Sequence, residues 1–78
     1  MSNSNRYFIF AYRWHSDKPI DGSLNGDGLI TFNIPDWTPF SVVDAILEVE
    51  NQHKKFTAVF PVYFEKIDKE DFDKYNNR

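Results

Sequence analysis

Cysteine is absent from this 78-residue chain. Neither a disulfide nor a thiolate-bound metal can therefore staple it, as they often do in secreted domains too small for a large core. That absence favours the cytoplasm. Long apolar runs are missing too: no stretch approaches the ~18 residues of a membrane span or the ~7 to 15 of a signal-peptide core. A membrane partner is not expected. Two histidines are too few for a convincing zinc site, and no Gly-rich loop precedes a helix pattern to cradle a phosphate. With no thiol and no serine in an elbow motif, a nucleophilic hydrolase lacks its nucleophile. These gaps predict a protein that is not an enzyme and holds no cofactor.

Positive charge is in short supply as well. Nine Lys and Arg stand against twelve Asp and Glu, for a net charge of −3. Residues 1–20 carry three basic and one acidic side chain, residues 21–56 two and six, and residues 57–78 four and five. Binding to the phosphate backbone relies on a continuous basic footprint, and none is present.

Aromatic side chains are what the chain has in quantity: eight Phe, four Tyr and two Trp, or 18% of residues. A chain this short buries a small fraction of its surface and needs an efficient core, and each ring can bury roughly 150 to 250 Å². The segment "RYFIFAYRW" (6–14) is nearly all aromatic, β-branched or long, and predicts a strand. Alternation puts Phe8, Phe10, Tyr12 and Trp14 on a core face and Tyr7, Ile9, Ala11 and Arg13 on the other. Residues 15–27, rich in Gly, Pro, Asp, Ser and Asn, read as a loop. "GLITFNI" (28–34) resumes the alternation, and Pro35 and Pro39 end it.

Thr38 with Pro39, or Ser41 with Asp44, would cap a helix starting between 38 and 41. Val42, Ile46, Val49 and His53 form its apolar stripe, widened by Val43 and Leu47. "FTAVFPVYFEKI" (56–67) is strand-like, with Pro61 demanding a sheet edge or a bulge, of which the edge is simpler. Phe60, Val62 and Phe64 are its preferred core residues, with Val59 and Tyr63 the other register. Asp68 would cap a short C-terminal helix carrying Phe72 and Tyr75. Residues 1–5 and 76–78 are expected to fray.

The expected fold is thus a single small α+β domain spanning 1–78 in the order β-β-α-β-α. A crossover helix between the second and third strands makes those strands parallel, with the first between them and antiparallel to both. The sheet is then three-stranded and antiparallel, in order 2-1-3, with one helix packed on one face.

Candidate sites are few. Asp21, Ser23 and Asn25 alternate ahead of Gly26, like the front of an EF-hand loop, and Asp27 follows. Yet position twelve of such a loop is Phe32 rather than the bidentate Glu that calcium needs, and a plain connecting loop uses the same residues. His15, with Arg13 and Asp17, is the one grouping that offers acid/base chemistry. Tyr7, Ile9, Arg13, Thr31 and Tyr63 share the sheet face away from the helix, and Trp37 precedes the helix cap either as a staple or as an anchor. Exposed Tyr, Trp and Arg are typical protein-interface anchors, and an apolar face on a small domain favours a partner protein or a second copy in a homodimer. An open strand edge could pair likewise. The expected role is a small cytoplasmic binding, regulatory or inhibitor protein, of the build of short stand-alone regulators of bacterial or mobile-element genomes. The alternative is a single-stranded nucleic-acid binder or small nuclease working through Arg6, Arg13, His15 and the sheet tyrosines.

Overall fold

The computed structural model describes residues 4–76. The elements are β1 (Asn5–Ile20), β2 (Ser23–Pro35), α1 (Val42–Gln52), β3 (Ala58–Ile67) and α2 (Lys69–Asn76). They form a three-stranded sheet of order β2-β1-β3 in which β1 is antiparallel to both neighbours. The most aromatic strand is therefore the central one, as the α+β reading of the sequence required.

The core lies between this sheet and α1. Phe10, Ala45 and Val49 are fully buried, and Phe8, Tyr12, Phe32 and Val59 nearly so. Phe40, Phe56 and Phe64 pack against them. The rings meet in offset and edge-on geometries, Phe8 on Phe64 at 5.2 Å and Phe10 against Phe64 at 6.1 Å. Such pairs add about 0.5 to 1.5 kcal/mol beyond the area they bury. Burial also pushes the Tyr12 phenol above its ordinary pKa, because the core disfavours a phenolate.

The hairpin is longer than the sequence suggested. Residues 15–27 are not a loop: β1 continues to Ile20, β2 begins at Ser23, and only Asp21 and Gly22 form the turn. Both have positive φ, 50° and 84°, as the two central residues of a type I′ turn require. An irregularity between His15 and Ile20 interrupts the ladder. There the buried Ser16 hydroxyl lies 2.7 Å from the Lys18 carbonyl and 3.0 Å from that of Lys55. The Thr57 N–H donates to the His15 carbonyl at 2.7 Å. These bonds tie the arm to the α1–β3 connection.

Strand β3 resolves its two candidate registers by using both. A bulge at Val62 lets Pro61 oppose Tyr12 while Tyr63 opposes Ala11. Val59 and Phe64 consequently share the core face, whereas Phe60 and Val62, expected inside, are 55% and 62% exposed. Pro61 has no amide proton to place in a ladder, which is why the irregularity sits there.

Helix α1 starts at Ser41, whose N–H donates to the Asp44 carboxylate at 2.8 Å. It ends at His53, whose N–H donates to the Val49 carbonyl. His53 is exposed and stacks on Phe56 at 4.7 Å. Val43 and Leu47 do not widen the buried stripe, being 60% and 53% exposed. Ala45, small enough for close approach to the sheet, takes the buried position instead.

Frayed ends do not extend as far as expected. Ser4 accepts from the Asp36 N–H, Asn5 begins β1, and the Asn76 side chain accepts from Thr31. The rest of that expectation concerns residues 1–3 and 77–78, outside the described residues. No helix among the described residues is long and apolar enough to cross a membrane.

Candidate functional site

The second sheet face is laid out in rows across β2, β1 and β3. Strand register aligns Asn33–Tyr7–Ile67, Thr31–Ile9–Glu65, Leu29–Ala11–Tyr63, Asp27–Arg13–Phe60 and Asn25–His15–Ala58. Helix α2 lies over the first two rows. Its Asp68 cap accepts from the Asp71 N–H at 2.8 Å, and the Phe72 ring meets that of Tyr7 at 4.7 Å, tilted by 48°. The Thr31 hydroxyl donates to the Asn76 side chain at 2.8 Å. Ile9 is 5% exposed as a result.

The expected surface is thereby split. Tyr7, Ile9 and Thr31 serve to dock α2, and no longer face outward together. Arg13 and Tyr63 remain in the uncovered half. Trp37 is 75% exposed in the turn before α1 rather than folded over the helix start. Phe40 takes that packing role, 5.4 Å from Phe8 and 4.9 Å from Phe32.

The uncovered rows add two residues that sequence reasoning missed. Leu29 and Phe60 are 46% and 55% exposed, beside Tyr63 at 50%. Ala11, with only a methyl group, sits between Leu29 and Tyr63 in the sheet. Arg13 lies 3.1 Å from Asp27, and both are largely exposed, an arrangement that contributes little to stability but leaves a neutral charged pair beside the apolar row. Leu29 could have been found by alternation; Phe60 needed the bulge.

The chemical constellations fare differently. Arg6 belongs to the other face, where it donates to the Pro35 and Thr38 carbonyls, approaches Asp36 at 3.9 Å and lies over the Phe8 ring. It braces the turn after β2 and is not gathered with Arg13 and His15. His15 and Asp17 are exposed on the arm, and the Asp17 N–H donates to Thr57. Tyr12 is in the core. Of the calcium-like residues, Asp21 is in the turn, while Ser23, Asn25 and Asp27 follow along an extended strand. Alternate residues there are about 6.6 to 6.8 Å apart, too far to converge on one ion. Among the described residues, no group of three or more His, Asp and Glu could hold a metal.

Comparison with protein-family models, curated proteins and solved structures finds no match to this chain.

Proposed function

We propose that the chain is a small binding module that regulates or inhibits a partner protein by occupying its surface through the Leu29–Ala11–Tyr63 and Asp27–Arg13–Phe60 rows. One observation carries this reading: three large apolar side chains, each about half exposed, stand together on a rigid three-stranded sheet, where a monomer gains nothing by holding them in water. Tyr and Arg are favoured interface anchors because they combine apolar area with directed hydrogen bonds. The small acidic build is that expected of a short stand-alone regulator of a bacterial or mobile-element genome, and a chain without cysteine suits the cytoplasm. Nucleic acid finds less here, since Arg13 is neutralised by Asp27 and Arg6 is spent on the opposite face.

Affinity capture from the native host with wild type, a Phe60→Ser/Tyr63→Ser double variant and a Trp37→Ala variant tests the reading. Wild type and Trp37→Ala should retain one partner that the double variant loses. Equal capture by all three moves the surface elsewhere. Salt-sensitive binding of single-stranded DNA or RNA abolished by Arg13→Ala would replace the protein-binding reading with the nucleic-acid one.

A further inference from the structure

The two edges of the sheet are unequally protected. On β3 the backbone is interrupted by Pro61 and the Val62 bulge, and Glu65 and Lys66 add charge. These are devices by which natural sheets prevent further strand pairing. Strand β2 has fewer: between Ser23 and Ile34 there is no proline, no lysine and a single charged residue, Asp27, with Pro35 only at its last position and a ladder irregularity only beside Leu24 near its first. It is also the longer edge, with 13 residues spanning about 44 Å at ~3.4 Å per residue. Beside its middle, Leu29, Ile30 and Thr31 line a cavity with Tyr75 and Asn76 of α2.

We infer that β2 pairs antiparallel with β2 of a second copy, forming a continuous six-stranded sheet about a two-fold axis at Leu29. The strand's own sequence supports a second copy as the occupant. Leu29 is the midpoint of Ser23–Pro35, so a dyad there sets the two halves of the edge against each other, with Pro35, which has no N–H, at the outermost position. In that register Leu29 meets Leu29, and Asp27 faces Thr31 rather than another Asp27. On the α1 side, Leu24, 46% exposed, faces Ile34. Gly26 and Gly28 face Phe32 and Ile30, with the Trp14 and Tyr12 rings of the same chain lying over the glycines and Phe32 buried in its own core. An isologous interface must be complementary to itself, and like charges placed opposite each other across a ladder are destabilising. This register satisfies both requirements. The axis is normal to the sheet, so both copies present their Leu29–Ala11–Tyr63 rows on one side. The pairing shares Leu29 with the surface proposed to bind a partner, but Phe60 and Tyr63 lie on or beside the far edge, so a variant there tests that reading without touching the pairing.

The chain has no cysteine, which makes the test clean. Residues opposite each other in an antiparallel pair have Cα atoms about 4.5 to 5.5 Å apart, within the range a disulfide bridges. Under mild oxidation Leu29→Cys should convert to a covalent dimer, while Leu24→Cys, equally exposed but distant from its own copy, should remain uncrosslinked. Leu29→Lys and Leu29→Glu should each sediment as monomers and restore a dimer when mixed, and Phe60→Ser/Tyr63→Ser should dimerise like wild type. A wild type that stays monomeric at high concentration overturns the inference. So does a Leu29→Cys chain that crosslinks no faster than Leu24→Cys.

Discussion

Single atoms decide the inner lining of the hairpin. An added Cβ at Gly28 would collide with the Tyr12 ring at Cζ, and one at Gly26 would lie 2.6 Å from Cζ2 of Trp14. The Tyr12 ring is held in the core, so it has little freedom to retreat. Gly28→Ala should therefore lower stability by about 1 to 3 kcal/mol, as overpacking does, seen as a lower urea midpoint with an unchanged slope. No measurable loss would mean that the ring is loosely held. These glycines are visible in the sequence, but a glycine needed for a ring overhead and one merely tolerated in a loop look alike there. The same ambiguity hid the long hairpin, since Asp, Asn and Gly signal loops in general and a two-residue turn in particular.

At the scale of elements, α2 shows how a weakly amphipathic segment can decide a surface. It buries none of its own residues fully, yet it covers Ile9 and engages Tyr7 through Phe72. Its hold includes the Tyr7–Phe72 ring contact and the Thr31–Asn76 bond, and the Lys69–Asp73 and Lys74–Glu70 pairs lie exposed within the helix. Phe72→Ala should release it. The expected outcome is increased binding of an apolar dye as Tyr7 and Ile9 become accessible, with the strand signal in circular dichroism kept. Unchanged dye binding would show that Phe72 is dispensable for docking. The sequence announced this helix through Asp68 and the spacing of Phe72 and Tyr75, but not where it would sit. It was β1 alternation that put Tyr7 and Ile9 on an apolar face, and only the return of the chain after β3 covers half of that face.

For the whole molecule, protection should follow the sheet order. Strand β1 is paired on both sides and carries the fully buried Phe10, so amides from Phe8 to Tyr12 should exchange most slowly, near the global unfolding limit. Amides of the hairpin end, in β1 and β2 next to the Asp21–Gly22 turn, should exchange fastest among the paired segments. Hydrogen exchange followed by NMR or mass spectrometry reads this directly. Uniform protection along β1, arm included, would contradict a core confined to the segment between β2, β3 and α1.

The sequence by itself determined the element order, the central place of the aromatic strand and the helix over its Phe face. Each follows from local signals: side-chain alternation, capping residues and prolines that cannot pair. Tertiary structure alone decided which half of the second face stays open and which way Phe60 points. The first depends on α2 folding back onto Tyr7, and the second on an extra residue at Val62 that reverses alternation partway along β3. Alternation is a rule about neighbours in the chain, and a bulge or a docked helix is set by partners distant in it.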